Sequence, residues 1–369
     1  MKKTIAVIYG GRSGEHAVSL VSAASVARTL APSRYDVLLV GIADDGRWFL
    51  QSDAVLATCR AGNAPLTIEQ EGSQQVALVP GQGKACLVRA KDGKALSLDC
   101  AFPVLHGTFG EDGSVQGLFE ICGIPYVGAG VAASALGMDK DYAKTIWKAR
   151  GLPVVPWIAI NAAERQQEHR FTALLELAER DFRYPLFVKP SAAGSSVGAA
   201  KATDRTELVK AVDEALLWDD KVLVEPFLAA REIECSVTGN EELSAYTPGE
   251  VAPTHEFYDY DAKYIDPDGA KLIIPARIEE EDLGQIRELA KKAYRALGIT
   301  GLSRVDFFVL KDSGEILLNE VNTLPGFTGI SMFPRMCEAS GLSYAELLDL
   351  VIDLGISRHT LRSARSYSR

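Results

Sequence analysis

A chain of 369 residues is too long for one ordinary compact core and predicts two or three domains of ~100–200 residues each. Hydrophobic residues make up 47% and charged residues 24%, which excludes disorder as the main state. Lysine and arginine number 39 against 49 acids, a formal charge of −10. No global basic footprint for nucleic acid exists, and an anionic membrane surface would repel the chain. The opening MKKTIAVIYGGRSGEH faintly imitates an export signal, but Arg12, Glu15 and His16 interrupt its apolar run. No run approaches the ~20 apolar residues of a bilayer span. The six scattered cysteines lack a CxxC pair and read as inert thiols of a reducing compartment, so the expected address is cytoplasmic.

Residues 4–9 (TIAVIY) predict a buried strand, and Gly10-Gly11 turns it into a helix over roughly 15–30. Residues 35–42 and 98–105 are further apolar runs, the second emptying into HGTFGEDG ahead of a helix at 114–122. The alternation predicts a parallel sheet with helices on its faces, a Rossmann-like α/β unit. Residues 52–96 are polar and weakly periodic and yield no assignment. A helix over 131–150 leads through Gly151, Pro153 and Pro156 into PWIAI, a boundary signal. Then come a strand at 185–189, a glycine loop, a helix near 204–217 and a strand at 221–225. The last third reads as α+β, with strands at 232–238 and 245–251 and a polar, aromatic stretch at 254–274. A helix at 279–297, a hairpin at 302–322 and a helix at 343–354 follow, and the basic tail SRHTLRSARSYSR is expected to fray.

Residues 302–322 read LSRVDFFVLKDSGEILLNEVN, and Asp312-Ser313-Gly314 has the chemistry of a three-residue hairpin loop. With Ser313 at the centre, Asp306 faces Glu320 and Arg304 faces Asn322. Cross-strand partners share a face and side chains alternate, so all four converge on one side. A slip of one residue would separate the pairs. Two carboxylates and an amide at the ends of buried strands make a hard-oxygen site for Mg²⁺ or Mn²⁺. Arg304 adds fixed positive charge for an anionic substrate. A solvated face with an incidental ion pair is the commoner fate of such residues. Phe308 and Leu318, apolar on that same predicted face, argue against it.

Residues 185–198 read PLFVKPSAAGSSVG. Pro190 stops the strand, small residues let backbone N–H groups approach phosphate oxygens, Ser195 and Ser196 add hydroxyls, and Lys189 adds charge at the loop's mouth. The spacing is not that of GxxxxGK[ST], and a flexible surface turn accounts for the segment equally well. Residues 194–198 also satisfy G-x-S-x-G, with Asp353 and His359 downstream in triad order. That elbow needs a strand running directly into a helix, whereas Pro190 and a loop precede Ser196, so a serine hydrolase is the lesser reading. The turn at 10–15 lacks the G-x-G-x-x-G spacing of a dinucleotide site. Glu15 either complements the helix dipole, worth ~0.3–1 kcal/mol, or offers a carboxylate to a substrate ammonium, and both readings stay open.

GGRSGEHAVSL (10–20), HGTFGEDGSVQG (106–117), GMDK (137–140), VKPSAAGSSVG (188–198), EPFLAAREIE (225–234), YDYDAKY (258–264), SRVDFF (303–308) and NEVNTLPGFTGIS (319–331) span most of the chain. In this order they resemble the ATP-grasp superfamily and, within it, the D-alanine–D-alanine ligase family. The resemblance implies an N-terminal α/β domain at 1–130, a central ATP-grasp subdomain at 131–230 and a C-terminal subdomain at 231–357. It gives the 254–274 segment the job of a closing lid, leaves 358–369 as a tail without a role, and implies a homodimer.

The same resemblance implies that Lys140 and Lys189 hold ATP phosphates under a lid at 191–198 containing Ser195 and Ser196. Glu225 and the backbone near Phe227 and Leu228 would meet adenine, and Glu232 the ribose hydroxyls. Asp306, Glu320 and Asn322 match metal ligands, for two Mg²⁺ with Glu320 bridging. Glu15 matches the residue that receives the first D-alanine's ammonium, linked to Ser195 and Tyr264. Lys263 and Ser331 match contacts to the second D-alanine's carboxylate, with Lys263 also within reach of the γ-phosphate. Arg304 and the Gly326 N–H would stabilise the tetrahedral oxyanion, and His106 would lie near the second substrate as base or orienter. The implied reaction passes through an acyl phosphate to D-alanyl-D-alanine for peptidoglycan precursors. Another ATP-grasp ligase, or a sensor that binds ATP and Mg²⁺ without turnover, would share part of these residues.

Overall fold

The computed structural model describes residues 2–62, 64–194, 197–253 and 270–366. These residues build three sheets. The first runs, in space, through Ala95–Leu96, Leu87–Arg89, Gln75–Leu78, Trp48–Leu50, Tyr35–Ile42, Lys3–Gly10 and Cys100–Val104. Its last three strands are parallel, as predicted, with Lys3–Gly10 in the middle. That strand is apolar almost throughout because both of its faces are covered. Ile5, Val7 and Tyr9 pack with Ala23, Val26 and Ala27 of the helix His16–Thr29, while Ala6 and Ile8 pack with Val115 and Phe119 of the helix Ser114–Cys122. The other four strands, within the unassigned 52–96 stretch or bordering it, form an antiparallel extension. Strands this short leave no periodicity to read.

The second sheet is antiparallel, in the order Ala200–Ala202, Leu186–Pro190, Lys221–Pro226 and Ile158–Asn161. Helices Glu168–Asp181 and Arg205–Ala215 cover one face of it. The third sheet is built on Ala230–Gly239, flanked by Gly249–Pro253 and by the hairpin strands Gly301–Leu310 and Ile316–Asn322. Odd-numbered residues Ile233, Cys235, Val237, Val305 and Phe307 bury against Ile286, Ala290 and Ala293 of the helix Glu280–Ala296. Strand alternation therefore turns the even-numbered Glu232, Glu234, Arg304 and Asp306 to the opposite face.

Several sequence expectations need correction. The helix predicted over 131–150 is two helices, Val131–Met138 and Lys140–Ala149, broken at Asp139. Asp139 is extended there (ψ 104°) and its carboxylate caps the second helix by accepting the Asp141 and Tyr142 N–H groups. The strand predicted at 245–251 is split into Leu243–Ala245 and Gly249–Pro253, with Pro248 between them. The helix predicted to end at 354 continues to Ser363, so most of the tail expected to fray is ordered helix. Of the stretch at 254–274, residues 254–269 lie outside the described residues, and Ala270–Ile273 is a strand paired with Gly249–Pro253. All six cysteines are buried and unpaired. No described helix is long and apolar enough to cross a membrane.

Candidate functional site

The hairpin brings its four predicted residues together in the predicted pairs, Arg304 opposite Asn322 and Asp306 opposite Glu320. It does so by a different route. The turn is one residue longer than predicted, with Leu310 N–H bonded to Glu315 O at 2.9 Å and Gly314 in the left-handed region (φ 72°). The register then shifts beyond Asp306, where Asn319 is the extra residue of a bulge. Phe307 rather than Phe308 therefore opposes Leu318, and Leu318 is buried in the core instead of lining the polar face.

On that face Arg304 grips Asp306 with both prongs, Nε to Oδ1 at 2.8 Å and a terminal nitrogen to Oδ2 at 2.7 Å. Glu234 Oε2, on the neighbouring strand, lies 3.0 Å from Arg304 Nε as an ion pair. Asn322 donates its amide N–H to Asp306 Oδ2 at 2.9 Å, which leaves the amide oxygen to serve as a ligand. Glu320 lies 3.6 Å from the Lys140 ammonium. Two opposed carboxylates and an amide oxygen fit a small divalent cation.

The break at Asp139 starts the next helix at Lys140, beside the glycine loop. The Lys140 N–H bonds Ser191 O at 3.0 Å and its ammonium bonds Ala193 O at 2.9 Å. Lys189, on the second sheet, reaches Asn319 Oδ1 of the bulge at 2.9 Å and Glu225 Oε2 at 2.9 Å. Lys140 thus meets a hairpin carboxylate, and Lys189 a hairpin amide, where the second sheet meets the third. Glu225 also accepts from Lys144, which is fully buried. Burial alone would raise the Glu225 carboxyl, but the Lys144 and Lys189 ammonium groups outweigh it and hold it below its ordinary value. Phe227 lies under the Lys201 ammonium, 4.5 Å from the ring centre. Leu228 follows at the strand's exit and is half-buried, as is Glu232 on the third sheet.

Glu15 sits at the start of its helix, where a Cβ on Gly107 would come within 2.7 Å of Oε2 and a Cβ on Gly194 within 2.9 Å. Glycine at both places is what lets the HGTFGEDG loop and the 191–198 loop close on one carboxylate. His106 is buried, with Nδ1 3.1 Å from Leu324 O and Nε2 3.2 Å from Ser22 Oγ. The carbonyl assigns the proton to Nδ1 and leaves Nε2 to accept. Burial lowers the His106 pKa, and the Glu15 charge opposes this. Gly326 and Ser331 are neighbours, a Gly326 Cβ falling 3.1 Å from Ser331 Oγ. Ser331 Oγ accepts the Thr328 N–H at 3.1 Å. Ser195, Ser196, Lys263 and Tyr264 lie outside the described residues.

Sequence reasoning missed Lys144, Glu111 and Glu234. Lys144 carried a signal, because Lys140, Ala143, Lys144 and Trp147 share one buried helix face at spacings of three and four. Glu111 lies within HGTFGEDG. Its carboxylate accepts the Gly107 N–H at 3.0 Å and the Leu324 N–H at 3.2 Å. The hydrolase reading falls away, since the chain enters the strand Ala200–Ala202 after the glycine loop, not a helix. Asp353 pairs with Lys3, and His359 with Ser363.

Profiles of two families match the chain, D-ala D-ala ligase N-terminus over residues 4–129 and D-ala D-ala ligase C-terminus over residues 146–353. A D-alanine–D-alanine ligase of Treponema denticola is 51% identical over 96% of each chain. One from Heliobacterium modesticaldum is 47% identical over 100% of this chain and 99% of its own. Among solved structures, the D-alanine–D-alanine ligase of Coxiella burnetii superposes with a TM-score of 0.83 at 36% identity, covering 98% of this chain and 96% of its own. A D-Ala:D-Ser ligase from Enterococcus faecalis gives 0.81 at 36% identity, covering 96% and 100%. Matched in sequence and in fold along nearly its whole length, the chain belongs to the D-alanine–D-alanine ligase family.

Proposed function

We propose that this enzyme joins two D-alanines to D-alanyl-D-alanine, a peptidoglycan precursor, using ATP. The observation that supports the reading beyond family membership is that Lys140 approaches Glu320 and Lys189 bonds Asn319 on the hairpin strand that also carries Asn322 and pairs with Asp306. Cations for phosphate and oxygen ligands for a metal are what phosphoryl transfer to a carboxylate needs. Asp306, Glu320 and Asn322 would hold Mg²⁺ or Mn²⁺, two ions on this reading. Bound there, the metal supplies charge neutralisation at the transferring phosphoryl group.

Glu15 receives the ammonium of the first D-alanine, whose carboxylate oxygen attacks the γ-phosphorus as ADP leaves. Lys140 and Lys189 hold the phosphates, with Glu225, Phe227 and Leu228 at the adenine and Glu232 at the ribose. The second amine attacks the acyl carbon of the resulting D-alanyl phosphate, and the departing phosphate takes up the proton that the amine loses. Arg304 and the Gly326 N–H face the oxyanion of that step, and Ser331 the second carboxylate. His106, with both ring nitrogens engaged, orients and does not take the proton. Ser195, Ser196, Lys263 and Tyr264 complete the set, and the lid excludes water so that the acyl phosphate is not hydrolysed. A cytoplasmic homodimer is the form this reading assigns.

Phosphate release from Mg·ATP is expected with D-alanine and not with L-alanine, with the dipeptide as product. Glu320→Gln should lose at least about a hundredfold in kcat while remaining folded. Release without dipeptide, or with D-serine as the preferred second substrate, would change the assignment.

A further inference from the structure

Glu225 is a single carboxylate between two ammonium groups. Its Oε1 takes Lys144, its Oε2 takes Lys189 at 2.9 Å, and both groups are buried with it. The two lysines differ in what else they can reach. Lys189 also touches Asn319 of the hairpin, next in sequence to Glu320, at 2.9 Å. Lys144 is fully enclosed: its ammonium donates to Val155 O at 3.2 Å and sits 5.8 Å from the centre of the Trp157 ring. Burial pushes it down to about 8, against the pull of Glu225. A buried ion pair contributes little stability over an apolar packing of the same volume, so stability alone is a weak reason for Lys144. Two cations on one carboxylate also leave one positive charge over, which an incoming polyphosphate would neutralise.

We propose that Lys144 is a positioning residue for nucleotide binding, the permanent partner that keeps Glu225 fixed and charge-balanced so that Lys189 can turn from Glu225 to phosphate. The inference rests on the reading above, in which Lys189 meets phosphate. Without Lys144, the only cation left to Glu225 among the described residues is Lys189, and the carboxylate competes with ATP for it.

The test is steady-state kinetics of the full-length enzyme with Mg·ATP and D-alanine. Lys144→Met should raise KM for ATP at least about tenfold while KM for D-alanine stays within about twofold. Combining it with Glu225→Gln removes the competing charge, so KM for ATP should fall back to that of Glu225→Gln alone, a non-additivity that a purely structural lysine would not produce. If the Met variant does not fold, Lys144→Gln keeps a donor for Val155 O and removes the charge. An unchanged KM for ATP in the single variant, or no recovery in the double, overturns the proposal. Lys189→Ala separates the two levels: if it raises KM for ATP and Lys144→Met does not, only this inference fails. If Lys189→Ala leaves KM for ATP unchanged, the phosphate reading fails and this inference with it.

Discussion

Glu111 has no apolar reason to be where it is. Burial, and then the charge of Glu15, push its carboxyl up to about 8 from an ordinary 4.5, against the Gly107 and Leu324 N–H groups that favour the anion. The folded protein keeps this proton up to about pH 8 while the unfolded chain releases it near 4.5. Over that window the native state binds more protons, so the group's contribution to stability falls as pH rises. Glu111→Gln removes the titration and keeps an acceptor oxygen. Its Tm relative to the native protein should therefore climb between about pH 5 and about pH 8. Parallel Tm–pH curves for the two proteins would show that the carboxyl ionises freely in the fold.

At the scale of elements, the break at Asp139 decides where the lysines point. Its carboxylate caps the second helix, accepts from Ser191 Oγ at 2.7 Å and pairs with Lys221 at 2.9 Å, tying the helix to the glycine loop's sheet. Asp139→Ala should cost about 1 kcal/mol for the cap alone, and more for the lost ion pair. It should also raise KM for ATP, because Lys140 is the first residue of that helix. A stability loss with unchanged ATP kinetics would separate the cap from the site. The hairpin teaches a related lesson. Alternation and a glycine turn were enough to pair Asp306 with Glu320, yet the turn was one residue longer than its chemistry implied. The bulge at Asn319 restored the pairing and aimed that residue at Lys189. Bulges depend on what the extra side chain finds across the cleft, which is why no local rule located it.

At the scale of the molecule, the last helix joins the parts. Arg358 donates to Gly128 O, to Thr300 Oγ1 at 3.1 Å and to Tyr126 O at 3.0 Å, and lies over the Tyr126 ring. Arg362 pairs with Glu120 at 2.8 Å. Residues that read as a frayed basic tail thus satisfy carbonyls of the segment leaving the first sheet. Truncation after Ser357 should lower Tm by at least about 4 °C, from loss of charge-assisted bonds to buried carbonyls. An unchanged Tm would return the tail to the surface role its composition suggested.

By itself the sequence determined the parallel core around residues 4–9, the antiparallel hairpin with its acids on one face, and the glycine loop with its lysine. Each of these is written in local alternation, turn chemistry or residue size, which act over a few neighbours. The resemblance of its motifs then set the family. Only the tertiary structure decided that Lys144 and Lys189 share Glu225, that Glu111 bridges two loops more than 200 residues apart in sequence, and that the basic end is a clamp. Those outcomes depend on which charge meets which across separate sheets, and on how much water each meeting excludes, quantities that no stretch of neighbouring residues contains.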